Sequence, residues 1–214
     1  KTQSDGLTTA ILKNDEEIES ASKGEEITFL TTSTPFYGES GGQTGDFGKA
    51  FNENVQLEIT NTTKPVSDLI AHHAKVISGS IKKGDKIYLQ VDKSIRKNTA
   101  INHTSTHLLH AALKKVLGDH IKQAGSLVTP DRLRFDYSHF SPLTEQEKSK
   151  VETLVNIEIR KNTTVHTKEM NIQDALEEGA SALFGEKYGS SVRVVSVANF
   201  SKELCGGTHI SATG

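Results

Sequence analysis

Apolar and polar residues alternate along Val55-Gln-Leu-Glu-Ile-Thr60 and Lys86-Ile-Tyr-Leu-Gln-Val91, so one face of each segment is apolar. That period of two predicts half-buried strands. Glu26-Ile-Thr-Phe-Leu-Thr-Thr32 shows the same alternation with β-branched content, and Ala74-Lys-Val-Ile77 predicts a shorter strand followed by a turn from Gly79 to Gly84. Short strands at close spacing predict a small barrel. Near residues 92 to 95 the pattern changes to a helical period. Leu108, Leu109, Ala112, Leu113, Val116 and Leu117 share one side of a helix capped by Asp92 or Ser94 and stopped by Gly118. Ser126-Leu-Val128 and Leu133-Arg-Phe-Asp-Tyr137 read as strands. Thr144-Glu-Gln-Glu147 is a capping box opening a helix to about Arg160. A strand from Thr163 to Lys168, a short helix from about Ile172 to Glu178 and a strand from Val192 to Val197 follow. Without a regular βαβ repeat, the expected class is α+β: a small N-terminal β-barrel over residues 1–94, then an α+β domain over 95–214.

Two spacings carry candidate chemistry. His103-x3-His107 lies on the predicted helix, where residues four apart share a face, and Cys205-x3-His209 brings the single cysteine and another imidazole to the same spacing. Sulfur with imidazole nitrogen is a zinc-type ligand set. His-x3-His alone arises by chance; the cysteine in a glycine turn before a histidine strengthens the reading. A zinc-protease helix needs glutamate after its first histidine, and Thr104 stands there, so a zinc peptidase or small-amide hydrolase is disfavoured. His110 reads as packing or as a hydrogen-bond support. His72 and His73, adjacent in a strand, face opposite ways and read as structural. Tyr37-Gly-Glu-Ser-Gly-Gly-Gln-Thr-Gly-Asp-Phe-Gly48 is either a tight turn at a barrel rim or a close backbone approach to a ligand or another domain. It lacks the Gly-Lys-Ser/Thr ending of a phosphate loop, and nothing in the chain looks like an ATP site.

Composition narrows the classes. The chain has 214 residues, 34% hydrophobic and 6% aromatic, with a formal charge of -2. That balance argues against gripping nucleic acid by bulk positive charge, and no DNA partner is expected, although a local basic stripe could contact RNA. No apolar run reaches the length of a membrane span and no signal-peptide pattern opens the chain, so no membrane partner is expected. One cysteine cannot form an internal disulfide, which fits a reducing, cytoplasmic setting.

His103-Thr-Ser-Thr-His-Leu-Leu-His110, Phe135-Asp-Tyr-Ser-His139, Leu183-Phe-Gly-Glu-Lys-Tyr-Gly189 and Glu203-Leu-Cys-Gly-Gly-Thr-His209 together resemble the editing domain of alanyl-tRNA synthetase. Phe36-Tyr-Gly-Glu-Ser-Gly-Gly-Gln-Thr-Gly-Asp46 resembles the glycine motif of that family's β-domain. The resemblance runs through nearly the whole chain in order, and the third motif and the long Leu204-Cys-Gly-Gly-Thr-His209 form lean toward the synthetase over free-standing alanyl-tRNA editing proteins, which share the zinc motifs. It implies a β-barrel beside an α+β zinc-binding editing domain that hydrolyses tRNA(Ala) mischarged with serine or glycine. It implies Zn2+ held by His103, His107, Cys205 and His209, a specificity glutamine at Gln123, and Gln43 and Asp46 lining the approach. Thr104, Gln123 and the backbone amides of Gly206 and Gly207 are the candidates to hold the amino acid and a developing oxyanion, and Asp46 is the carboxylate candidate for proton transfer. These 214 residues are not expected to include the aminoacylation domain of such a ligase. The chain ends where the family continues, so a C-terminally truncated domain with an unpaired sheet edge and a loosely held Cys205 loop is expected. A non-catalytic tRNA-binding module with a structural zinc is the rival reading.

Overall fold

The computed structural model describes residues 1–66, 68–182 and 189–214. Residues 183–188 of the Leu183–Gly189 motif lie outside the described residues. The chain divides into two compact units, residues 1–40 with 44–97 and residues 41–43 with 98–214.

The first unit is a closed six-stranded barrel with extra strands. Its strands are β1 (Gln3–Lys13), β2 (Glu16–Ile18), β3 (Ser20–Ser22), β4 (Glu26–Thr31), β5 (Gly48–Phe51), β6 (Val55–Val66), β7 (Leu69–Lys82) and β8 (Lys86–Val91). The antiparallel order β1-β4-β7-β6-β5-β8 returns to β1, which pairs with β8 from Gln3 opposite Gln90 to Leu7 opposite Lys86. Closure removes the exposed edges of an open sheet. The inward positions of the alternating segments fill the core: Phe29, Leu57, Ile59, Ile87 and Leu89 are fully buried, with Ile11 and Ile81. The short strand expected at Ala74–Ile77 is the middle of β7, and no turn begins at Gly79. Gly79 instead takes φ +72 inside the strand, and a Cβ there would lie 1.7 Å from the Asn54 carbonyl oxygen, so both constraints require glycine; the chain reverses only after Lys82.

His72 and His73 face opposite ways. His72 is fully buried, stacked on Phe29, and donates from Nδ1 to the Phe29 carbonyl (3.1 Å). Half-buried His73 meets the hydroxyls of Thr28 and Thr63. Burial lowers the His72 pKa to about 4.

The second unit is α+β. Helix α1 (Lys93–Leu117) carries the histidine motif. It is followed by β9 (Gln123–Val128), β10 (Leu133–Tyr137), α2 (Glu145–Arg160), β11 (Val165–Asn171), α3 (Ile172–Glu177), β12 (Ser191–Val197) and β13 (Ser201–Leu204). Asp92 caps α1, its Oδ1 accepting from the amides of Ser94 and Ile95, and Gly118 ends it at φ +114. Strands β9 and β10 form one antiparallel pair, and β11-β12-β13 an antiparallel three-stranded sheet. Ala112, Leu113, Ile121 and Val151 form one core cluster, and Val192, Val194, Leu204, Ala175 and Ala180 another. Residues after the Cys205 motif pair with the start of β11, through Val165 N–H to Ser211 O (2.9 Å) and Thr213 N–H to Thr163 O (3.0 Å). Among the described residues, no helix is long and apolar enough to cross a membrane.

Candidate metal centre

Helix α1 places His103 and His107 one turn apart on a buried face, and the segment leaving β13 returns Cys205 and His209 to it. One ligand-type atom from each of these four residues lies within 4.8 Å of all the others. The sulfur of Cys205 is 3.3 Å from His103 Nε2 and 3.2 Å from His209 Nε2. Three imidazoles and a thiol at this separation are a donor set suited to a divalent borderline-soft ion.

Hydrogen bonds outside the cluster determine which nitrogen each imidazole turns inward. Gln43 Oε1 accepts the backbone N–H of Thr208 (2.8 Å), which identifies that atom as the oxygen. The same oxygen is 2.7 Å from His103 Nδ1, so Nδ1 carries the proton and Nε2 keeps its lone pair. The Thr104 hydroxyl donates to the Ala100 carbonyl (3.0 Å), so it accepts from His209 Nδ1 (3.1 Å), and His209 Nε2 likewise keeps its lone pair. Gln43 and Thr104 thus hold the rings of His103 and His209 from behind.

Gln43 reaches this position because residues 41–43 run beside β9, with Val128 N–H donating to Gly42 O (2.8 Å). Gly42 has φ +79, and a Cβ there would lie 2.5 Å from the Ser126 carbonyl oxygen. The glycine-rich loop therefore makes a close backbone approach here. Gly207 is similarly constrained, since a Cβ would lie 2.1 Å from His103 Cε1.

The Cys205 loop is not loosely held. Cys205 N–H donates to Arg193 O (2.9 Å), and the Arg193 guanidinium donates to the carbonyls of Cys205 (3.1 Å) and Gly207. The motif alone could not reveal Arg193, which lies on β12 twelve residues earlier. Glu203 opens that motif, but its spacing does not reveal its partners on α1. It is buried on β13, accepts from His110 Nδ1 through Oε1 (3.0 Å), and places Oε2 3.7 Å from His107 Nδ1. His110 lies outside the four-residue donor group.

Burial depresses all three cluster imidazoles. The His103 pKa falls to about 3, chiefly by burial, with the charges of His107 and Arg193 adding and Glu203 opposing. His107 and His209 are pushed down for the same first reason. Burial works to raise Glu203, but His107, the His110 hydrogen bond and the Ser201 hydroxyl outweigh it and bring it below the usual carboxylate range. The centre is thus built of neutral imidazoles backed by one carboxylate, the protonation state in which imidazole ligates a cation.

Gln123 opens β9, half-buried and opposite Tyr137. Asp46 belongs to the barrel unit, where its carboxylate accepts from the Tyr37 amide (2.5 Å) and from Arg96 Nε (2.7 Å) and Nη2.

A family model for class II (A) tRNA synthetases matches residues 1–95, and one for the threonyl and alanyl tRNA synthetase second additional domain matches residues 192–214. The chain is 51% identical over 205 residues to the alanine–tRNA ligase of Desulfosudis oleivorans, covering 96% of this chain and 23% of that protein. It is 50% identical over 205 residues to that of Carboxydothermus hydrogenoformans, covering 96% and 24%. It is 49% identical over 210 residues to that of Alkaliphilus oremlandii, covering 98% and 24%. The chain therefore spans about a quarter of the length of these curated relatives.

Proposed function

The chain belongs to the alanine–tRNA ligase family, and we propose that it is the editing portion of such a ligase, an ester hydrolase that clears serine or glycine from mischarged tRNA(Ala). A synthetic pocket for alanine discriminates poorly against glycine, which is smaller, and against serine, which adds only a hydroxyl. Selectivity of that kind requires a second hydrolytic sieve. Because serine is larger than alanine, this sieve must recognise the hydroxyl by polar contact and cannot work by size exclusion alone.

One observation carries the reading: two segments about a hundred residues apart deliver His103, His107, Cys205 and His209 to a single point. We assign them to Zn2+. Bound zinc would supply Lewis acidity toward an ester carbonyl, or lower the pKa of a water to about 7. Around it, Gln43 and Thr104 fix the ring orientations of His103 and His209. The amide of Gly206 is assigned to the developing oxyanion, whereas that of Gly207 donates to the Cys205 sulfur (3.4 Å) and is assigned to holding the thiolate. Gln123 is assigned to discrimination of the amino acid. Asp46 is assigned to supporting the glycine-rich loop, since Arg96 and the Tyr37 amide occupy its carboxylate.

The deciding experiment is hydrolysis of Ser-tRNA(Ala) by the chain, with and without a zinc chelator. The expected result is ester cleavage that chelator abolishes and added zinc restores, and that is lost in His107→Ala and Cys205→Ala. Undiminished hydrolysis by metal-free protein would overturn the role of zinc. A second reading, a tRNA-binding module with structural zinc, is favoured by the donor count, because four protein ligands complete a tetrahedron without an open position. It predicts tRNA binding and zinc retention with no ester cleavage.

A further inference from the structure

We propose that Glu203 is a positioning residue of the metal centre: its carboxylate clamps His107 and His110 and holds His107 in the tautomer that directs Nε2 toward the ion. The proposal rests on the zinc reading above and goes beyond its ligand set.

The three cluster histidines are held unequally. His103 and His209 each have Nδ1 held by an acceptor outside the donor group, Gln43 at 2.7 Å and Thr104 at 3.1 Å. His107 Nδ1 is buried and has no hydrogen-bond partner within reach among the described residues. The polar atom facing it is Glu203 Oε2 at 3.7 Å. An ionised carboxylate only accepts, so the proton of His107 belongs on Nδ1 and the lone pair on Nε2. The other oxygen of Glu203 is engaged by His110 Nδ1 at 3.0 Å and by the Ser201 hydroxyl at 3.3 Å. Glu203 is therefore anchored on one side and presents its remaining oxygen to the ligand. His110, one turn beyond His107 on α1, is the anchor, which explains a third histidine in the motif that is not itself a ligand.

Charge supports the same role. A divalent cation with one thiolate and three neutral imidazoles leaves one net positive charge, and Arg193 lies beside the loop that carries the thiolate. Glu203 is the carboxylate packed against this centre, and only 5% of it is exposed. A buried negative charge at that place offsets the charge the ion brings. Carboxylates behind metal-bound histidines contribute through ring orientation and ligand basicity.

The test uses the whole chain. Glu203→Gln keeps the shape and removes the charge. Zinc affinity is read by competition with a chromogenic chelator, and folding by circular dichroism of the metal-free protein. The expected result is a fold like that of the parent with zinc bound about 10- to 100-fold more weakly. Equal zinc affinity in parent and variant would overturn the proposal. A second measurement does not depend on the variant folding: long-range nitrogen–proton spectra of the metal-free parent, in which His107 is expected as the Nδ1–H tautomer. An Nε2–H tautomer there would also overturn it. A parent chain that binds no zinc would sink the zinc reading, while the tautomer spectrum would still decide the placement of Glu203.

Discussion

Single atoms decide much of this site, and Gly207 shows it most directly. A Cβ there would lie 2.1 Å from His103 Cε1, so Gly207→Ala must displace the ring. We expect zinc affinity to fall about tenfold or more with the fold retained, as measured by chelator competition. Gln123 is assigned to specificity, so Gln123→Ala should change the ratio of Ser-tRNA to Ala-tRNA hydrolysis more than it changes the melting temperature; an unchanged ratio would remove it from that role. His72 gives a pH prediction for the barrel. Its pKa is about 4 in the fold against an ordinary 6.5, so the unfolded chain takes up a proton first as the solution is acidified. Its contribution is therefore intact above about pH 6.5 and is lost progressively down to about pH 4, amounting to about 3 kcal/mol. Denaturant melts of the parent and His72→Phe over that range should show the parent losing more stability by that order.

At the scale of elements, local chemistry sets the boundaries. Thr144 and Glu147 close a reciprocal capping box at the start of α2, with Glu147 N–H donating to Thr144 Oγ1 and Thr144 N–H to Glu147 Oε2 (2.8 Å). Thr144→Ala should cost about 1 kcal/mol by denaturant unfolding, and loss of helix beyond α2 would be unexpected. The same locality explains which elements the residue pattern revealed. Strands β4, β6 and β8 alternate because apolar side chains point inward at every second position. Strand β1 escaped notice because Gly6 and Thr8 take two of its buried positions, leaving Ile11 as its fully buried apolar residue. Strand β13 escaped for a related reason: Ser201 and Glu203, both polar, are buried in it.

For the whole molecule, a ligand that binds only the folded second unit should stabilise that unit by mass action. Zinc at a hundredfold excess over its dissociation constant should add about 2.7 kcal/mol, seen calorimetrically as a shift that chelator reverses. The residue pattern by itself determined the α+β class, the barrel strands with regular alternation, helices α1 and α2 with their caps, and the two ligand spacings. Each of these depends on neighbours within one or two turns of chain. Tertiary structure alone decided what stands behind the ligands. Gln43 meets His103 across 60 positions, Thr104 meets His209 across 105, and Glu203 meets His110 across 93. No local period encodes such pairs, because a buried polar group finds its partner through the packing of distant elements, and only the folded chain brings a carboxylate on β13 against a histidine on α1.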